Sequence, residues 1–333
     1  MASDTLTRTV QMSALLADLR RGLAAMLCCA LLGGGAAAQE LKPVQASKHV
    51  YYVQGAPGMA TRENRAFNAN AAFVVTAEGV LVFDALGSPL LGAQLKQAIA
   101  GITKQPIRRV IVSHFHADHF YGLQSLQGDG VQIWAHAAGR ESLGSDLARS
   151  RLEQRRNDLS PYVDANTRLV GADRWLEFRD GAPIDFTFGG VKMRLIDVSG
   201  AHSPEDIMLF VVDDGVLLAG DLYFSGRIPF VGQADSRAWL AALDRIEPLA
   251  PKMVIPGHGT ASRNPKPDIE LTRAYLLYLR EKMGAAVRDL VPFEEAYKAT
   301  DWLPFYDVPA FEVANRINAY GTYLQMEREL LAR

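Results

Sequence analysis

Three of the seven histidines in this 333-residue chain fall within six positions, His114-Phe115-His116-Ala117-Asp118-His119, directly after the apolar run Val110-Ile111-Val112. Packing alone gives little reason for such crowding, and four ligand-type side chains in so short a stretch point to metal. In an extended segment residues two apart face the same way, so His114 and His116 can reach one metal together. Asp118 and His119, past the strand end, can turn toward a second metal beside it. Further ligands are read at strand ends followed by turns: His202 in Ser199-Gly200-Ala201-His202, Asp221 in Ala219-Gly220-Asp221 and His258 in Pro256-Gly257-His258-Gly259. Glycine near each lets the backbone turn sharply or approach closely. A chain that uses this set must fold so that distant strand ends meet.

Strand-like stretches rich in Val, Phe and Tyr run over His49 to Val53, Ala72 to Thr76, Val80 to Asp84 and Arg109 to Ser113. Further strands are expected at Val131 to Ala135, Ile184 to Phe188, Val191 to Val198, Ile207 to Val212 and Val216 to Ala219. The spacing of Leu91, Leu95, Ile99 and Ile102 predicts a helix over Leu90 to Ile102, and helices are also expected over Ala137 to Asn157 and Ser236 to Ile246. After Pro265 and Pro267, the stripe Ile269, Leu276, Leu279, Met283 and Val287 predicts a long helix. A second stripe, Phe311, Ala314, Ile317 and Leu324, predicts another that ends the chain. Two clusters of strands with helices interspersed imply an α/β sandwich with helical outer layers over residues 39–262 and a helical extension over 263–333.

The first residues have another character. Arg20 and Arg21 precede the apolar run Leu23 to Leu32, and glycines and Ala36-Ala37-Ala38 follow. The order basic, apolar, small is that of a secretory signal peptide over residues 1–38, so a periplasmic or secreted protein beginning at Gln39 is expected. The run falls short of the roughly 20 residues of a spanning helix, and no stable membrane anchor is expected after cleavage. Both cysteines, Cys28 and Cys29, lie inside it, which leaves the mature chain without disulfide or thiolate ligand. A net charge of -2 with no basic block gives no footprint for nucleic acid, so the expected partner is a small-molecule substrate. Imidazole and carboxylate without thiolate suit zinc, with manganese or iron as lesser fits.

With its ligands in the order His-x-His-x-Asp-His, then His, Asp and His, the chain resembles the metallo-beta-lactamase superfamily over roughly His49 to His258. The resemblance implies a metallo-beta-lactamase αββα sandwich in which His114, His116 and His202 bind one zinc, Asp118, His119 and His258 bind a second, and Asp221 bridges them. It further implies two zinc ions per chain, a hydroxide between them as nucleophile, and Asp118 as the residue that positions this hydroxide and takes its proton. Asp84, ending the strand Val80-Leu81-Val82-Phe83, matches the family's aspartate that orients the ligands; a turn-forming aspartate is the other reading. True beta-lactamases of this fold carry Cys or Ser near the place of Asp221, and glyoxalase II-like thioesterases share the full ligand set. The stretch from Gly220 to Phe230, with Trp239 and Pro256-Gly257-His258-Gly259, is similar to the periplasmic SoxH-like group, which includes proteins called quinoprotein relay system zinc metallohydrolases.

The expected function is therefore that of an exported dinuclear zinc hydrolase acting on an ester, thioester or related bond of a small molecule. Beta-lactam hydrolysis and glyoxalase II-like thioester hydrolysis are the enzymatic alternatives, and a metal- or ligand-binding protein of the same fold is the non-enzymatic one. Tyr223, Phe224 and Arg227 either line the substrate pocket beside Asp221 or belong to the core.

Overall fold

The computed structural model describes residues 40–332, so the expected signal peptide lies outside the described residues. Along the chain run β1 (Val44–Gln45), β2 (Val50–Val53), β3 (Ala71–Thr76), β4 (Gly79–Phe83), α1 (Pro89–Ile102), β5 (Ile107–Ile111), α2 (Ala117–Phe120) and α3 (Leu123–Leu126). Then come β6 (Gln132–His136), α4 (Gly139–Gly144), α5 (Asp146–Leu159), β7 (Arg174–Leu176), β8 (Ile184–Phe188), β9 (Val191–Asp197), β10 (Ile207–Val211) and β11 (Val216–Phe224). The last elements are α6 (Ser236–Leu243), β12 (Met253–His258), α7 (Lys266–Arg288), α8 (Phe293–Ala299) and α9 (Phe311–Leu331). Strands β1 to β7 form one sheet in sequence order, and the second sheet has the order β12-β11-β10-β9-β8.

The alternation of side chains along each strand builds the layers. In β4, Val80 and Val82 face a cluster with Leu91, Leu95 and Ile99 of α1, while Leu81 and Phe83 face Leu195, Leu209 and Ile255 of the other sheet. In β10, Ile207, Leu209 and Val211 join that inter-sheet core, whereas Met208 and Phe210 face Trp239 of α6 and Leu276 of α7. A period of two thus places one set of residues between the sheets and the other under helices. The result is an αββα sandwich. The C-terminal helices are built into it: Leu279, Met283, Ala314 and Tyr323 share a core with Leu217 and Phe224 of β11. Among the described residues no helix is long and apolar enough to cross a membrane.

Several elements differ from the sequence expectation for local reasons. The helix expected over Ala137 to Asn157 is broken at Ser145, whose backbone is extended (φ -74°, ψ 156°) and whose hydroxyl accepts the Ala148 N–H at 3.1 Å, so it ends α4 and caps α5. Strand β11 continues past Ala219 to Phe224 because β12, of which the sequence reading gave only the end at His258, pairs with it in parallel beyond a register shift at Gly220. The stripe read on α9 only partly coincides with its buried face: Phe311 and Ala314 are buried and Ile317 is 53% exposed, while the polar Asn315, Asn318, Thr322 and Gln325 are buried with them. The amides of Asn318 and Gln325 serve backbone donors of the preceding loop. Asn318 Oδ1 accepts from Val231 N at 2.7 Å and Gly232 N at 3.2 Å, and Gln325 Oε1 accepts from Ser236 N at 3.0 Å.

Candidate metal centre

The histidine-rich segment begins where β5 leaves the first sheet. Val112 N still bonds Trp134 O, after which His116 starts the one-turn helix α2. That turn swings Asp118 and His119 aside from His114 and His116. Loops after β9 and strands β11 and β12 of the second sheet bring His202, Asp221 and His258 to the same end of the sandwich. Gly257 has room only for hydrogen, since an added Cβ would lie 1.9 Å from Asp221 Oδ1.

All seven residues meet in two groups: His114, His116, His202 and Asp221 form one, and Asp118, His119 and His258 form the other, with ligand atoms within 4.8 Å of one another in each. In the first, His116 Nδ1 lies 3.0 Å from His114 Nε2 and 2.9 Å from His202 Nε2. Neutral imidazoles cannot satisfy three converging nitrogens among themselves, whereas one cation can. In the second, His258 Nε2 lies 3.4 Å from Asp118 Oδ2. Asp221 touches both, with Oδ2 at 3.4 Å from His202 Nε2 and 3.3 Å from His258 Nε2, and Oδ1 at 3.2 Å from His119 Nε2. His119 Nε2 and Asp221 Oδ1 are buried without a hydrogen-bond partner, which is costly in protein alone and natural for metal ligands. The residues therefore fit metal ions.

Electrostatics agree with that chemistry. Burial pushes His114 and His116 well below the ordinary histidine value, with help from neighbouring imidazoles, and brings His202 down to about 4, keeping these rings in the neutral form that binds metal. Burial also acts to lower His119, but Asp221 and Asp84 outweigh it and raise it well above. Burial alone raises the acids, yet His258 and His119 hold Asp221 well below the carboxylate range, and His119 and His258 bring Asp118 to about 2. The carboxylates call for positive charge at their centre.

Behind the ligands stands Asp84, which ends β4 with a left-handed backbone (φ 65°). Its Oδ1 accepts Ser113 N at 2.7 Å, and its Oδ2 accepts from His119 Nδ1 and Ser113 Oγ, both at 2.8 Å. Ser113 Oγ in turn lies 2.9 Å from His114 Nδ1. One carboxylate thus fixes a ligand in each group. Sequence reasoning missed Ser113, and it missed Asn68, whose Nδ2 donates to Asp118 Oδ2 at 2.8 Å and whose carbonyl accepts from His258 Nδ1 at 2.8 Å. The only written sign of Asn68 was the pair Asn68-Ala69-Asn70 in a loop before a strand, and both asparagines are buried.

Tyr223, Phe224 and Arg227 occupy three different places. Tyr223 is fully buried and its hydroxyl donates to Asp268 of α7 at 2.8 Å, which is a core position. Phe224 stacks on His258 with centroids 5.3 Å apart and supports a ligand. Arg227 is buried with Nη1 donating to Gly58 O at 3.0 Å, and has Asp221 and Asp118 as charged neighbours. None of the three lines the cavity that opens beside His116 and His202.

Residues 64–258, which hold all seven ligand-type residues and Asp84, match the metallo-beta-lactamase superfamily. The chain belongs to that superfamily. Its relatives there include the linear primary-alkylsulfatase of Pseudomonas sp. (strain ATCC 19151), 21% identical over 62% of this chain and 44% of the relative. Another is the metallo-beta-lactamase IND-1 of Chryseobacterium indologenes, 20% identical over 65% of this chain and 80% of the relative. Among solved structures, the stereoselective inverting sec-alkylsulfatase Pisa1 from Pseudomonas sp. superposes with a TM-score of 0.67 at 17% identity, covering 86% of this chain and 50% of that one. The metallo-beta-lactamase FIM-1 from Pseudomonas aeruginosa gives 0.54 at 19% identity over 71% and 94%. The chain spans about half the length of the alkylsulfatases it matches. At such identities the superpositions speak for the fold alone, and the ligand set of this superfamily member is read from its own residues.

Proposed function

We propose that this superfamily member is a hydrolase that holds two zinc ions and cuts an ester, thioester or related bond of a small molecule. The observation that carries the reading is the placement of Asp221, whose two oxygens reach ligands of both groups. When bound, paired zinc ions supply a hydroxide near neutral pH and polarise the bond to be cut. His114, His116 and His202 would hold one zinc and Asp118, His119 and His258 the other, with Asp221 placed between the two groups. Asp118, held ionised by His119 and His258 and oriented by Asn68, is the group placed to accept a proton at a carboxylate oxygen. Asp84 and Ser113 keep His119 and His114 aimed inward.

Export before action belongs to the same reading, with residues 1–38 removed as a signal; mass analysis of the N-terminus of protein from its native host tests it, and a retained leader in the cytosol contradicts it. Zinc-loaded protein should be assayed against carboxylic esters, thioesters, lactones, phosphodiesters, alkyl sulfates and beta-lactams, the last two because relatives bear those names. Turnover on at least one is expected, falling by about 10² to 10⁴-fold in Asp118→Asn. No turnover on any class with both metals bound would leave a binding protein of this fold instead.

A further inference from the structure

The cavity beside His116 and His202 has a volume of about 180 Å³. An enclosed apolar cavity of about 150 Å³ is enough for benzene, so a phenyl-sized group fits. Phe120, Leu147 and Phe230 give it apolar walls. Its two charged residues differ in kind. Glu205 is already engaged: Oε1 accepts the Phe115 N–H at 3.1 Å and Oε2 accepts the Ser142 hydroxyl at 2.6 Å. Arg151, from α5, is half-buried and lines the cavity without a hydrogen bond or ion pair to any described residue. Arg156 of the same helix shows the contrast, with Nε on Asp164 O at 2.9 Å and Nη2 on Thr167 O at 2.8 Å.

Burial draws the Arg151 guanidinium below its ordinary pKa, and its neighbours Tyr121 and Glu205 act against that fall without bonding to it. It stays charged at any physiological pH. Tyr121 lines the same cavity near Arg151, and its hydroxyl too bonds no described residue. A half-buried cation with no partner, next to a free hydroxyl, is an arrangement that a ligand oxyanion would complete.

We propose that this cavity anchors the substrate, with Arg151 and the Tyr121 hydroxyl holding an oxyanion while an adjoining phenyl-sized apolar group lies against Phe120, Leu147 and Phe230. The rest of the substrate then extends past His116 and His202 to the metal centre. This rests on the reading of that centre as hydrolytic, and it makes the substrate class an anionic, partly apolar small molecule.

The test is calorimetric titration of zinc-loaded parent, Arg151→Met and Arg151→Lys with benzoate, benzenesulfonate and neutral benzamide, with thermal unfolding of each variant alongside. Methionine keeps the apolar stem and removes the fork. The parent should bind at least one of the two oxyanions about tenfold or more tighter than Arg151→Met, with benzamide unchanged, because a charge-assisted pair is lost. The tighter oxyanion then distinguishes a carboxylate from a sulfonate-type head group. Equal affinity of parent and Arg151→Met for both oxyanions, an equal loss for benzamide, or no binding to the parent overturns the proposal. If Arg151→Met does not fold, Arg151→Lys decides: loss of the planar fork should weaken the preferred oxyanion by about threefold or more, and no change overturns it. The titration needs no turnover, so an absence of hydrolysis and an absence of an Arg151 effect are separate failures.

Discussion

Asn68 steadies two ligands of the same group, His258 through its carbonyl and Asp118 through its amide. Replacing it by leucine keeps the carbonyl and removes the amide donor, so the fold should survive while Asp118 loses its aim. Partners of this kind are typically worth about 10 to 100-fold in metal affinity, and Asn68→Leu should weaken the more loosely held zinc by that much in a chelator competition. An unchanged affinity would make Asn68 a loop residue only. Away from the site, the side chain of Asp214 is 3% exposed and accepts from Ser47 Oγ, from His49 N at 2.9 Å and from His49 Nδ1 at 2.7 Å, tying the β1–β2 turn to the β10–β11 turn of the other sheet. Burial by itself raises this carboxyl, but the hydrogen bonds from Ser47 and His49 outweigh it and hold it below the usual range. A lowered folded value means that the unfolded chain binds the proton more readily, so the stability Asp214 lends is full above the unfolded value of about 3.9 and lost as pH falls through the folded one. Asp214→Asn should therefore melt below the parent at pH 7, with a gap that closes in acid. A gap independent of pH would contradict this.

At the scale of elements, α9 shows what patterning conveys and what it hides. Its existence was legible from Phe311, Ala314 and Leu324, but the full buried face was not, because that face carries Asn315, Asn318, Thr322 and Gln325 among its hydrophobes Phe311, Ala314, Ala319, Tyr323 and Met326. Hydrophobic period cannot find a helix face whose work is to satisfy backbone N–H groups of the loop at Val231, Gly232 and Ser236. Asn318→Ala leaves two buried donors without their acceptor and should cost about 1 to 3 kcal/mol in urea unfolding. A change near zero would mean that the loop finds other partners. The break at Ser145 was hidden for a similar reason: a serine inside a helical pattern reads as helix until its hydroxyl is seen to cap the next one. Strands β4 and β10 were legible as short apolar runs rich in Val, Leu, Ile and Phe, whereas the sorting of their residues between the inter-sheet core and the helical layers shows only in the packing. Arg174–Leu176, only three residues long, was not expected as a strand, and of Met253–His258 only the end at His258 was read, because Pro256 and Gly257 interrupt the run.

For the molecule as a whole, the two sheets bring to one end seven side chains spread from His114 to His258, and the C-terminal helices complete the core behind β11. The ligand types were readable because His114 to His119 crowd into one segment and because a glycine stands near each of the later three. Their division into two groups, and the cavity under α5 that adjoins the first, depend on tertiary placement that no local pattern encodes. The central claim is that Asp221 joins the two groups into one two-metal site. Native mass spectrometry of the zinc-loaded protein after mild dialysis tests it most directly. The account predicts about two zinc ions per parent chain and fewer in Asp221→Ala. A reproducible single zinc in the parent, or two retained in Asp221→Ala, would contradict it.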